Sequence, residues 1–492
     1  MKKIFILGLD GLTWDIIKPL IKNGKLPCFE MLLNEGCHAE LESCYPPFSP
    51  PAWTSIVTGK NPGKHGIFDF QKISPNFEKT TLTTSIDKKS MEIWDYLSAK
   101  GLKSIVINLP YSYPPKKING IMITGMTTPS IKSEFVIPTK YKEEILKNFP
   151  DYKFDLDWIF YRGKLNEFKT LLNNVTIQRR KIFEYFLTKE WNLFFCVFIE
   201  TDRALHILNN EDLSRYLQVL DQELEMLIKK IDKNFNVIFV SDHGFHNVKK
   251  KIFLNKLLEK HGFLSFRKDI PSKNILLKKI EKFLDTLSKN YTINKITEII
   301  PIKIMKKISS PFIEEDVRKF VDWGKTKTFA FGSGFIYLNK LIVSKEERVN
   351  TIYKLKTKLS TFKDPETGEL IFDKILNKEE AYNGPFVQNM PELIVIPKKG
   401  YTININYNEK ILDKISFKRR DHDMNGLFLA YGPDFKKNIK LNKKIKIYDI
   451  APTVLYIMNI PIPIDMDGRI LHEIFNKNSS EKFTKLRYYK IK

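Results

Sequence analysis

Short apolar runs alternate with amphipathic segments along most of this chain. "KIFILGL" is a continuous apolar run of the kind that fills a strand buried on both faces, and helical patterns follow it in "WDIIKPLIKNG" and "LPCFEMLLNEG". The helix-to-strand order then repeats three times: "MEIWDYLSAKG" before "KSIVINLP", "KIFEYFLTKEW" before "NLFFCVFI", and "LEMLIKKI" before "NVIFVSDHG". This alternation predicts an α/β fold, a doubly wound and mostly parallel sheet with helices on both faces. From about 265 to 320 the chain turns lysine-rich and helical, with no buried-strand run, before "FAFGSGFIYLN" and "PELIVIPKKG" return to strand-like patterns. The expected organisation is a core built from 1–264 and 321–475, a basic helical insertion at 265–320, and a basic tail at 476–492.

Composition sharpens this picture in two places. The net charge of +24 favours anionic partners: nucleic acid, acidic lipid headgroups or phosphorylated small molecules. The same charge also arises when lysine is simply spread over solvated faces. The insertion carries no helix-turn-helix, zinc-finger or RNA-recognition signature, so no specific nucleic-acid partner is expected. A basic amphipathic helix there can lie on an anionic membrane surface. Cys28, Cys37, Cys44 and Cys196 show no paired spacing and fit reduced thiols in a cytoplasmic protein. The basic, apolar start "MKKIFILGLD" meets Asp10 after about seven residues and reads as a first strand. No apolar run reaches the length of a membrane span.

The chemistry-bearing residues gather at strand ends. Asp10 follows "IFILGL", Asp202 follows "FFCVFIET" with His206 four residues later, Asp242 and His243 follow "VIFVS", and His422 precedes "GLFLAYGP". Open α/β sheets bind ligands beyond the carboxyl ends of their strands. A helical "DRALH" puts Asp202 and His206 on one face, where they can share an ion. Imidazole and carboxylate suit zinc and its first-row neighbours, with manganese next. Carboxylates brought this close repel one another unless cations offset them, and a pair of bound metals resolves the conflict. Taken singly, each residue has a plainer role: Asp as a helix cap, "SDHG" as a turn, His422 as a loop histidine.

Ser49 sits in "PPFSPPAWTSIVTG", where Pro50 and Pro51 pre-set the first turn of a helix. A serine at that helix end is an ordinary cap. Beside a metal its hydroxyl becomes a nucleophile, and free amides at the helix end attract the phosphate it attacks. Lys64, His65, His246 and the "GMTTPS" stretch (125–130) lie near these motifs in sequence, with His65 expected to support the site without ligating. His38, His261 and His472 read as structural. "FGSGF" is not followed by a helix of dinucleotide-binding type.

With these motifs in place ("TGKNPGKHGIFDF", "TDRALH", "SDHG" and the late His), the chain resembles the alkaline phosphatase superfamily, most closely its type I phosphodiesterase/nucleotide pyrophosphatase branch. The resemblance runs from Asp10 through "YDIAPTVLYIMNIPIPIDMDGRIL" and implies two metals. One would take Asp10, Asp242, His243 and Ser49; the other Asp202, His206 and His422. It further implies hydrolysis of a phosphate ester, a diester in preference to a monoester, through a phosphoserine. The best-studied nucleotide pyrophosphatases carry Thr as nucleophile and Asn three residues later, where this chain has Ser49 and Ala52. Phosphomutase or phosphotransferase chemistry of the same superfamily remains an alternative, as does a non-catalytic protein that binds anionic surfaces or nucleic acid. A sulfatase is disfavoured because "SPPAW" lacks the Arg of the sulfatase pattern.

Overall fold

The apolar runs line up side by side in one sheet. In a computed structural model, which describes residues 2–156, 158–161, 164–267, 317–482 and 488–489, the strand order is Ile439–Lys440, Gly36–Glu42, Asn425–Tyr431, Asn236–Val240, Ile4–Leu9, Leu193–Phe198, Ser104–Leu109, Gly120–Thr124 and Val136–Ile137. Ile445–Lys446 also pairs with Gly36–Glu42. The five strands from Asn236–Val240 to Gly120–Thr124 are parallel, and antiparallel pairing enters only at Asn425–Tyr431 and Val136–Ile137. The expected doubly wound α/β sheet is therefore present.

Alternate residues of the central strands feed opposite layers. Ile4, Ile6, Val106, Phe195 and Val197 join one apolar cluster; Phe5, Leu7, Ile105, Phe194 and Phe198 join the other. Because both faces are covered, the strands read as unbroken apolar runs instead of alternating ones. Trp53, Ile56 and Val57 of the Ser49–Thr58 helix lie in the first layer, with the Ile450–Ile457 helix. Leu165–Leu187 and Asn210–Lys230 pack in the second.

Residues 321–475 were expected to return to this core; Phe335, Tyr382, Met390, Ile394 and Ile396 pack into its first layer, but the chain rejoins the main sheet only from Asn425. Thr328–Phe331 and Phe335–Leu338 fold back on each other as a hairpin, because the glycines of "FGSGF" reverse the chain between them. With Leu393–Pro397 and Phe372–Asn377 they form a separate four-stranded sheet over its own apolar cluster. A three-stranded sheet, Tyr401–Asn404, Gly244–Phe253 and Leu412–Asp423, links this lobe to the main sheet. Residues 268–316, most of the expected insertion, lie outside the described residues; just beyond them Phe266 and Val321 form a bridge. In the expected tail, Lys477–Lys482 is helical and Tyr488–Tyr489 pairs with Ile462–Pro463.

One buried ion pair anchors the element that carries two candidate ligands. Glu200 opens the Glu200–Ile207 helix, and its Oε1 accepts from Arg179 Nε (3.1 Å) and Nη2 (2.8 Å) on the Leu165–Leu187 helix. Arg179 Nη2 also donates to the Lys153 carbonyl. The two side chains are 1% and 0% exposed. Arg179→Met, which leaves Glu200 buried and unpaired, is expected to destabilise the fold by about 3–5 kcal/mol in urea denaturation. Adding Glu200→Gln should recover most of that loss, since the stranded charge is then removed.

Candidate active site

Three adjacent parallel strands deliver the acidic groups to one edge. Asp10 follows Ile4–Leu9; Asp242 and His243 follow its neighbour Asn236–Val240; Asp202 lies on the helix that follows Leu193–Phe198 on the other side. His422 comes from the long Leu412–Asp423 strand, held in place because Phe245 pairs opposite it. The helix predicted for "DRALH" is present, and His206 Nε2 lies 3.4 Å from Asp202 Oδ1.

All seven sequence-predicted residues converge. His243 Nε2 is 3.6 Å from Asp10 Oδ1, 3.3 Å from Asp242 Oδ2 and 3.4 Å from Ser49 Oγ. His422 Nε2 is 3.4 Å from Asp202 Oδ1 and 3.1 Å from His206 Nε2. Asp10, Asp242 and His243 form one group compact enough to hold a metal ion; Asp202, His243 and His422 form another, with His206 beside it. Imidazole and carboxylate donors in this number suit a divalent first-row metal.

Each ligand is oriented from behind. Trp53 Nε1 donates to Asp10 Oδ2 at 3.0 Å, and Gly8 makes room for that indole, since a Cβ there would lie 2.5 Å from the ring. The Gly11 amide donates to Asp242 Oδ1, and Arg203 Nη1 to Asp202 Oδ2. The Nδ1 atoms of His243 and His422 face the carbonyls of Gly244 (3.1 Å) and Pro47 (3.2 Å). Those carbonyls accept only from a protonated Nδ1, and the neutral His243 ring then presents its Nε2 lone pair inward. Facing the two Nε2 atoms are Asp10 Oδ1, Asp202 Oδ1 and Asp242 Oδ2, buried carboxylate oxygens without a hydrogen-bond donor among the described residues. A lone pair facing carboxylate oxygens in a buried site repels them, and a cation between them removes the conflict.

Ser49 differs in detail from expectation. The helix begins at Ser49 itself, with Phe48 as the cap, and Ser49 Oγ makes no capping bond. Pro50 and Pro51 have no N–H, and the Ala52 amide bonds the Phe48 carbonyl at 3.0 Å. The helix end therefore offers only the Ser49 amide to an anion, not several. Ala52 is fully buried and contributes no polar group. Ser49 lines a cleft of about 570 Å³ together with Asp202, Arg203, His206 and His422, roofed by Phe331–Ser333 and Ile403–Asn406 of the second lobe. Gly332 is required in that roof: its φ is +63°, and a Cβ would fall 1.8 Å from Asp69 Oδ2.

The lesser candidates divide. His65 is buried, with Nδ1 accepting from the Ile67 amide and Nε2 3.0 Å from Ser55 Oγ, so it braces the Ser49–Thr58 helix from behind. Lys64 is held by Asp467 (2.6 Å) and the Asp465 carbonyl. Lys60 and Asn61 grip the same two aspartates. His246 Nε2 faces the Tyr401 carbonyl. From residues 125–130, Met126 Sδ touches Arg203 Nη2. His38 packs on Trp14, His261 near Phe362 and His472 near Tyr456. Sequence reasoning missed Trp53, Arg203 and Trp158, whose ring stacks on His206 at 4.8 Å. Arg203 stands inside "TDRALH" and was within reach; Trp53 and Trp158 carry no local signal.

Burial sets the electrostatics. It raises Asp10 well above the usual carboxylate range, with Asp242 and Asp202 adding to the effect, and raises Asp242 to about 7. Burial, reinforced by His422, lowers His243 to about 4 and keeps it neutral. Burial also pushes Asp202 upward, but His206 and Arg203 outweigh it and hold that carboxyl well below the usual range. A carboxyl raised in the folded state stabilises below its unfolded pKa, near 3.8, and that contribution is lost as pH rises through about 7. In metal-free protein, the melting temperature of Asp242→Asn relative to wild type should therefore climb from pH 5 to pH 8. After zinc is added the order should reverse, because the variant has lost a ligand. A metal-free difference that stays flat over this range would contradict the assignment.

The type I phosphodiesterase/nucleotide pyrophosphatase family description matches residues 4–426. Ectonucleotide pyrophosphatase/phosphodiesterase family member 7 of Mus musculus is 20% identical over 97% of this chain and 88% of its own length. Among solved structures, the fold is shared with human ectonucleotide pyrophosphatase/phosphodiesterase 5 (TM-score 0.54, 16% identity, 97% of this chain and 100% of that one). It is also shared with phosphonoacetate hydrolase from Sinorhizobium meliloti in complex with phosphonoformate (TM-score 0.59, 13% identity, 93% and 95%). Motifs, sheet order and family match agree: the chain belongs to the type I phosphodiesterase/nucleotide pyrophosphatase family of the alkaline phosphatase superfamily and is a hydrolase of phosphoric ester bonds.

Proposed function

We propose that this protein cleaves a phosphodiester with Ser49 as nucleophile and two divalent metal ions, zinc first and manganese second, as cofactors. One observation carries the reading: three buried carboxylate oxygens without donors among the described residues and the inward Nε2 atoms of His243 and His422 gather beside a serine hydroxyl. Asp10, Asp242, His243 and Ser49 would hold one ion; Asp202, His206 and His422 the other. When bound, such ions lower the pKa of a hydroxyl or water and offset charge on phosphoryl oxygens.

The chain's own residues supply the rest. Ser49 Oγ, with Asp242 and His243 around it, attacks phosphorus in line; its O–P bond forms as the ester bond to the leaving alkoxide breaks. Water then attacks the phosphoserine, restoring the hydroxyl and releasing the monoester. The Ser49 amide is placed for a phosphoryl oxygen, the role that Ala52 cannot share. An anionic substrate fits the charge of the chain and the AMP bound by a murine relative's inactive form. The four buried, unpaired cysteines support a reducing, cytoplasmic setting for this activity.

Ser49→Ala should fold, keep its metal and lose at least about a hundredfold in turnover. Near-wild-type rates in a metal-loaded sample would remove Ser49 from this role. Elemental analysis should find about two ions per chain, with Asp242→Asn and His422→Ala each lowering the content by about one. Bis(4-nitrophenyl) phosphate should be cleaved faster than 4-nitrophenyl phosphate; the opposite preference would make the enzyme a monoesterase.

A further inference from the structure

A second cavity of about 240 Å³ adjoins the cleft. The two share Arg419, Asp421, His422 and the Gly332–Ser333 turn, so Arg419 stands where the reaction cleft opens into a side chamber. The charged groups around it divide sharply. Arg203, the other arginine of the cleft, is consumed: its guanidinium binds Asp155 at 2.7 and 2.8 Å and also Asp202. Lys399 in the chamber is paired with Asp423 at 2.6 Å. Asp421 takes the Thr402 hydroxyl on one oxygen and the His422 amide on the other. Arg419 is half-buried; against burial, and after His422, its charge helps hold the Asp421 carboxyl low, yet among the described residues no carboxylate forms an ion pair with its guanidinium.

A half-buried arginine without a carboxylate at the wall of an active-site cleft is a receptor for an anionic group that arrives with substrate. Arg419 precedes His422 by three positions on one extended strand, which sets their Cα atoms roughly 10 Å apart. A group bonded a few atoms away from the reacting phosphorus would reach it. A diester has two arms, and the molecule has a cleft and a chamber. We propose that Arg419 is a specificity determinant: it receives a second anionic group, carboxylate or phosphate, carried on the substrate arm that enters the side chamber. This rests on the diesterase reading given above and narrows it to diesters with an acidic arm.

The test uses two matched substrates, 4-nitrophenyl butyl phosphate and 4-nitrophenyl 3-carboxypropyl phosphate, with metal-loaded wild type, Arg419→Gln and Arg419→Lys. Wild type should favour the carboxylate arm in kcat/KM, chiefly through KM, because the contact is remote from the bond that breaks. In Arg419→Gln the ratio of the two kcat/KM values should fall at least about tenfold, the scale of a charged hydrogen bond. Arg419→Lys should restore part of it. A matched pair with a 3-phosphopropyl arm then distinguishes phosphate from carboxylate by the larger ratio. Equal kcat/KM for both arms in wild type, or equal losses on both in Arg419→Gln, would overturn the proposal and leave the diesterase reading standing. A wild type inert toward both diesters but active on 4-nitrophenyl phosphate would overturn both.

Discussion

Three carboxylates held within one buried edge of a sheet are the constraint around which this protein is arranged. Asp10, Asp202 and Asp242 are each 0–1% exposed, and each directs an oxygen without a hydrogen-bond donor among the described residues into the same small volume. Burial this deep leaves ordinary solvation little power to relieve their repulsion. The surrounding structure holds each of them on its other side, through the Trp53 indole, the Gly11 amide and the Arg203 guanidinium. The fold thus concentrates carboxyl groups where burial raises Asp10 and Asp242, and a cation bound among them would offset that charge. Burial keeps His243 neutral, so its ring is free to offer a lone pair there.

The second lobe turns that charged edge into a selective site. Without it the carboxylates and Ser49 would lie at the open end of a sheet, as in any doubly wound fold. The Gly332 turn presses on Asp69, and the Leu412–Asp423 strand carries both His422 and Arg419 to the cleft wall. One strand thus lines the carboxylate cluster and the way to the side chamber together. A substitution that shifts this strand changes both.

The gathering of the candidate ligands at one edge was legible in the sequence because strand ends are. Asp10, Asp202, Asp242 and His243 follow unbroken apolar runs, and parallel strands in one sheet bring such positions to one edge. His206 was legible through its spacing from Asp202. The lobe was not, because Thr328–Phe331 and Phe335–Leu338 are as apolar as core strands, and only pairing decides whether such a run joins the main sheet or folds on itself. Lys64 and His65 lie just beyond the Ser49–Thr58 helix in the chain, yet one grips Asp467 and the other, as expected, supports from behind by bracing Ser55. The helix starts one residue earlier than expected, at Ser49 with Phe48 as its cap, because two prolines satisfy either boundary.

The order of strands also has a consequence for how the chain comes to be folded. Gly36–Glu42 lies early in the sequence, but every strand it pairs with, Asn425–Tyr431, Ile439–Lys440 and Ile445–Lys446, lies near the end. During synthesis at about 5–20 residues per second, that strand emerges and must wait while nearly the whole remaining chain is made. Asn236–Val240 is likewise left with one open side until Asn425–Tyr431 arrives. Such contacts are distant in sequence, close slowly and leave unpaired apolar edges in the nascent chain. This half of the sheet is thus the part most dependent on protection by chaperones before release from the ribosome, and the last to become native.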